Sequence, residues 1–199
     1  MGLWDKLTGK ASKPPPRLCA TTSPDPVFLG KFLVFSLLES QFGLSEQDTD
    51  ECVAELPEEL KGLGKFWAKL YLAWMFRMLV LGKYGDAFTE AMMSEVEALM
   101  SRAQELSGKE IGLRNVFTFW FAQIDAVMPS AGKTINGQVV PFEIVAALAF
   151  LVSDSSSPYF NQEQTNMVEF DLASALIKAK EKVLPSLQRA VEIGVSVEV

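Results

Sequence analysis

Apolar residues recur along most of this chain at helical spacing. Asp25-Pro26 pairs a capping residue with proline at the first helical position, which predicts a helix start. After it, Phe28, Leu29, Phe32, Leu33, Phe35, Leu37 and Leu38 cover most of a helix circumference, implying burial on most sides and a stop at Gly43. A short amphipathic helix is predicted from Ser45 to Leu56, where Val53, Ala54 and Leu56 offer core contacts, and Pro57 restarts the chain. Leu60 to Leu81 is the most apolar stretch. Its Lys65, Lys69 and Arg77 fall in one sector at about 100° per residue, but Phe76 and Val80 share that sector. Such a helix is either central to a bundle or lies in an interface. Gly82-Lys83-Tyr84-Gly85 predicts a break. Asp86 then caps a helix in which Phe88, Met92, Val96, Leu99, Ala103 and Leu106 form the clearest amphipathic stripe, closing at Ser107-Gly108.

Leu113 to Met128 reads as an aromatic-rich helix (Phe117, Phe119, Trp120, Phe121) ended by Pro129. The period then changes. Thr134-Ile135 and Gln138-Val139-Val140 flank Asn136-Gly137, a dipeptide that accepts the positive φ of a two-residue hairpin turn. Pro141 opens an almost wholly apolar helix through Phe142–Val152, and residues 154–164 read as a loop. A last long helix is expected from Asp171 to about Glu192, kinked or divided by Pro185. Met167-Val168-Glu169-Phe170 and Val195, Val197 and Val199 alternate, and pair as strands unless the second is a frayed tail. The reading is an all-α single domain over residues 25–199, a bundle of six to seven helices with a minor β-hairpin near residues 134–140. Residues 1–24, with Lys6, Lys10, Lys13, Arg17 and Pro14-Pro15-Pro16, are expected to form a mobile basic arm.

Composition narrows the function classes. Of 199 residues, 49% are hydrophobic, with 14 Phe, 4 Trp and 8 Met, which is ample material for a core. No apolar run reaches the roughly 18–20 residues of a membrane span. The net charge of −7 disfavours nucleic-acid backbones as partners. Histidine is absent, which removes the usual general base and the commonest metal ligand. Two cysteines, Cys19 and Cys52, are too few for a disulfide scaffold or structural zinc site and are read as free thiols. The N-terminus lacks the apolar core of a secretory signal, so a cytoplasmic location is expected.

Candidate chemistry is sparse. Gly132-Lys133-Thr134 resembles the end of a phosphate-binding loop, but Val127 stands where the leading glycine belongs and an Asn-Gly turn follows instead of a helix. Between Glu39 and Glu59 there are eight acids and no base. Asp48 and Asp50 lack the glycine and ligand spacing of a calcium loop, so a solvated acidic face is expected and no metal or other cofactor is implied. Three charges are crowded by apolar neighbours: Arg77, Asp125 and Glu143. A buried Arg77 would need Asp125 or Glu143 as partner. With Trp74 and Trp120 they would line an aromatic cavity with a polar end; otherwise each charge reaches water at a bundle edge. Met92 and Met93 lie about 100° apart on one helix and, with Phe76, are candidates for an interface.

These features favour a non-enzymatic protein–protein interaction factor, an acidic helical adaptor or chaperone-like protein that uses excess apolar helix surface, with a protein partner or a second copy as homodimer. The alternative is a binder of a small hydrophobic or lipid-like molecule, with Arg77 at the polar end of its cavity. An enzyme of unknown class comes third, because no catalytic set is assembled.

Overall fold

The computed structural model describes residues 24–107, 113–127, 129, 131–132, 134–135, 138–153 and 162–193. Among these residues the fold is all-α, with seven α-helices: α1 (Pro26–Phe35), α2 (Glu46–Cys52), α3 (Glu58–Tyr84), α4 (Asp86–Ser107), α5 (Leu113–Val127), α6 (Phe142–Ser153) and α7 (Gln162–Ile193). Thr134–Ile135 (β1) and Gln138–Val139 (β2) pair antiparallel over two residues each, Thr134 opposite Val139 and Ile135 opposite Gln138. The expected turn residues Asn136 and Gly137, the N-terminal arm up to Ser23 and the Val195–Val199 alternation lie outside the described residues.

Packing separates the chain into two compact units, each assembled from discontinuous segments. One takes Met1–Gly43, Ala73–Val116 and Val183–Val199; the other takes Leu44–Leu72 and Phe117–Lys182.

In the first unit α1 lies directly on α4. Asp25 caps α1 through its side chain, which accepts from the Val27 amide at 2.9 Å. Phe28, Leu29, Leu33 and Val34 are buried. The approach is closest at Gly30, where an added Cβ would stand 2.8 Å from the Met92 carbonyl oxygen. That distance is shorter than real Cβ contacts allow, so only glycine fits this crossing. Phe76 of α3 sets its ring 5.5 Å from Phe32, and the Tyr84 hydroxyl donates to the Val191 carbonyl at 2.5 Å. Beyond Phe35 the expected single helix loosens into a π-turn (Ser36–Ser40) and a tight turn (Gln41–Gly43) with positive φ at Gln41 (49°), Phe42 (59°) and Gly43 (81°). Two consecutive non-glycine residues in the left-handed region store backbone strain.

In the second unit α2 opens with a capping box. The Asp48 amide donates to Ser45 Oγ, and Asp48 Oδ2 accepts from the Ser45 amide. The helix stops at Cys52, earlier than expected, and turns carry the chain to Leu56. Leu56 and Val53 pack at Gly64 of α3, where an added Cβ would meet Leu56 Cδ1 at 2.3 Å. Leu60, Gly64, Trp67 and Tyr71, spaced four, three and four apart, give α3 its buried face here. Trp67 stacks on Phe150 of α6 with ring centres 5.8 Å apart, and Trp120 of α5 lies 5.2 Å from the same ring.

Three expectations about element ends change. α3 begins at Glu58 and continues through Gly82 to Tyr84. Glycine alone lowers helix propensity without ending a helix, and the chain turns only at Gly85, with φ 81°. α7 begins at Gln162, so Met167–Phe170 are helical and form no strand. Val168 is buried while Met167 and Phe170 are exposed, a pattern that imitates alternation over only four residues. Pro185 lies inside α7, which is not divided there.

Candidate functional site

A buried polar cluster in the second unit draws on three helices. Tyr71 sits one turn beyond Trp67 on α3, Glu143 lies in the first turn of α6, and Lys180 comes from α7. The Tyr71 hydroxyl donates to Glu143 Oε1 at 2.8 Å, and Lys180 Nζ bonds the same oxygen. Glu143 is 6% exposed and Tyr71 1%. Burial pushes the Glu143 carboxyl upward, but Lys180, its own backbone and Tyr71 together hold it below the ordinary glutamate range. Burial, reinforced by the neighbouring carboxylate, pushes the Tyr71 phenol far above its usual value. Carboxylate and phenol therefore keep fixed protonation states around neutrality. That suits a pin joining three helices better than proton transfer. Position at the helix N-terminus adds to the stabilisation of the anion.

Beside this cluster the aromatic side chains leave one polar atom unmatched. Trp67 is fully buried, and its indole Nε1 has no acceptor among the described residues. A buried N–H without a partner is rare in folded proteins.

The acidic segment proves to be ion-paired, beyond the solvated face expected for it. On α7, Ser174, Lys178 and Lys182 recur every fourth residue and so share one face. Ser174 Oγ donates to Glu55 at 3.0 Å, Lys178 pairs with Glu55 at 3.0 Å, and Lys182 reaches both Asp48 (2.5 Å) and Glu51 (3.0 Å). Lys65 of α3 pairs with Asp50. The Lys182 hydrogen bond, aided by Ser45, brings Asp48 down to about 2, and Lys182 and Gln47 likewise depress Glu51. An open depression of about 660 Å³ bordered by Asp50, Glu51, Glu58, Lys61 and Lys65 carries charge of both signs, with Lys61 on Glu58 at 2.6 Å and Lys65 on Asp50.

The residues singled out from sequence fall in different places. Glu143 and Trp120 belong to the second unit, Trp120 against Phe150; Asp125 is in that unit too but is exposed. Trp74 and Arg77 belong to the first unit, the first buried and the second half-buried. The candidate interface changes most. Met92 and Phe76 are both 0% exposed and fill the core of the first unit, with only Met93 partly accessible. The exposed large apolar side chains are elsewhere. In the second unit α6 presents Leu148 (41%) and Val152 (57%), spaced i, i+4, and α7 presents Met167 (74%) and Phe170 (61%), spaced i, i+3.

Sequence reasoning missed Tyr71, Lys180 and the lysine row on α7. The four-residue spacing of Ser174, Lys178 and Lys182 was a usable signal for the row, opposite acids at matching intervals. Nothing local marks Tyr71 or Lys180, whose meeting with Glu143 depends on tertiary packing. Among the described residues no group of three or more Cys, Asp or Glu is placed to hold a metal ion, and no single helix is long and apolar enough to cross a membrane. Comparison with known proteins finds no matching family model, no matching curated protein and no matching solved structure.

Proposed function

We propose that this chain is a non-enzymatic interaction protein, an acidic helical adaptor that pairs with a second copy of itself through outward apolar side chains of α6 and α7. In this reading its helices pack as a bundle and leave part of their greasy surface for the partner. The observation that carries the reading is the exposure of Met167, Phe170 and Val152, each more than half accessible. Large apolar groups paired along helix faces are what a helical partner reads. Light scattering coupled to size exclusion tests it. The parent chain elutes with twice its own mass, and Val152→Glu with Met167→Glu elutes as a monomer of unchanged helicity. A parent chain that is monomeric at every concentration overturns the homodimer.

A second reading, a binder of a small hydrophobic molecule, is favoured by the Trp67 indole. A ligand oxygen delivered to the aromatic cluster would supply the missing acceptor. Native mass spectrometry detects such a ligand as added mass, and Trp67→Phe removes it.

A further inference from the structure

The acidic segment from Ser45 to Leu56 is held in two different ways. Its apolar side is a plug of Cys52, Val53 and Leu56, exposed by 2%, 1% and 3%, with Leu56 and Val53 seated at Gly64 of α3. Its acidic side is fastened by three lysines from two helices: Lys65 on Asp50, Lys178 on Glu55, and Lys182 on Asp48 and Glu51. The segment contains no base of its own, and among the described residues the positive charges that pair with it and offset its self-repulsion come from those lysines. Its helix has seven residues, too few to persist alone in water. The chain enters it through three successive positive-φ residues, Gln41, Phe42 and Gly43, and leaves it at Pro57. A short helix held by ion pairs open to solvent is the kind of element that opens as one piece.

We propose that residues 45–56 form a charge-latched strap, which lifts from α3 and α7 when its pairs with Lys65, Lys178 and Lys182 are screened, uncovering the Cys52 thiol and the seat at Gly64. With the strap docked, Cys52 is buried, and burial pushes its thiol upward, so it is unreactive. With the strap lifted, the thiol meets solvent. High ionic strength, or a competing polycation, is the natural trigger, because contacts between exposed charges weaken as the screening length shortens.

The test follows alkylation of Cys52 by a neutral reagent, iodoacetamide, in a full-length Cys19→Ser chain, with rates referred to a free thiol in the same buffer. Raising NaCl from about 0.01 M to about 1 M shortens the Debye length from about 30 Å to about 3 Å. Loss of several coupled surface pairs speeds labelling on the order of tenfold, while circular dichroism stays constant. Lys178→Gln with Lys182→Gln labels fast already at low salt and loses most of the salt response. Asp48→Asn with Glu51→Gln removes the Lys182 pairs from the other side together with part of the acids' mutual repulsion, so its labelling loses most of the salt response, and it covers the case in which the lysine variant fails to fold. Leu56→Ala loosens the plug, so it labels faster at every salt concentration and keeps the salt response. Salt-independent labelling of the parent, or neutralised variants that label as slowly as the parent with the parent's salt response, overturns the latch.

Discussion

Removing Lys180 tests whether Glu143 is a structural pin. Glu143 is almost fully enclosed, its side chain 8% exposed, whereas that of Lys180 retains 28%. The partners are therefore unequal. Truncating Lys180 to alanine strands a carboxylate that water barely reaches, and breaking a buried pair this way costs about 3–5 kcal/mol. The partial exposure of Lys180 lowers the expected loss to about 2–4 kcal/mol. Glu143→Gln does the reverse. Its amide still offers Tyr71 an acceptor, and the orphaned ammonium swings to water, so the loss is about 1 kcal/mol. Tyr71→Phe falls between, at about 1–2 kcal/mol, because one hydrogen bond to a charged group goes while Lys180 remains. Replacing all three by apolar residues (Tyr71→Phe, Glu143→Met, Lys180→Met) is predicted to be milder than Lys180→Ala alone, since no charge stays buried. Urea denaturation followed by tryptophan fluorescence gives these differences as midpoint shifts at constant slope. A pH series adds a sign. In the parent, the depressed Glu143 carboxyl contributes stability above the ordinary glutamate range, and that contribution is lost as pH falls through its folded value. Without Lys180 burial dominates, the carboxyl is raised, and the deficit shrinks on acidification. Equal losses for Lys180→Ala and Glu143→Gln, or a deficit that does not change with pH, refute the pin.

Three further outcomes are expected. With the Asp48 carboxyl held at about 2, a depressed acid stabilises the fold above its unfolded value of about 4 and loses that contribution as pH falls toward about 2. The gap in urea midpoint between the parent and Asp48→Asn therefore closes across that window. Gly30→Ala drives a Cβ against the Met92 carbonyl and lowers stability by about 1–3 kcal/mol, whereas Gly62→Ala, in open space on α3, raises it by about 0.5–1 kcal/mol; thermal melts separate the two signs. Gln41→Gly relieves a left-handed residue and raises the melting point, corresponding to at most about 1 kcal/mol; an unchanged or lower melt refutes strain at that position.

Local grammar explains how much of the fold was legible. Asp25-Pro26, the start at Ser45, and the stripe Phe88, Met92, Val96, Leu99, Ala103 and Leu106 each declare their element within a few turns; all three elements form, although in the stripe Met100 is buried where Leu99 was expected and Leu106 is 44% exposed. Errors came where a local signal competes with a neighbour. Gly82 reads as a break but is carried by the helix around it, and the Met167–Phe170 alternation is too short to tell a period of two from a period of 3.6. The candidate site was legible only by halves. Glu143 stands out because an acid between Phe142 and Ile144 demands a partner. Its partners, Tyr71 and Lys180, are 72 and 37 residues away, and no pattern on one helix encodes which side chain of another will face it. Similarly, the sequence shows how many apolar side chains the helices carry but not which way they face. Met92 and Phe76 looked available because α1, which covers α4, is itself so apolar that it could equally have been the exposed partner.

The interleaving of the two units bears on how the chain is made. The first unit owns both Phe28–Val34 and Val183–Val191, so its earliest core residues leave the ribosome long before the last ones needed to enclose them. At about 5–20 residues per second the nascent chain spends on the order of ten seconds with that core unfinished. Close docking of α1 on α4 at Gly30 offers an early shelter for those side chains. For the same reason, no single cut leaves the first unit whole in one fragment, and stopping synthesis before Val183 releases a polypeptide whose first core is unfinished and prone to aggregate.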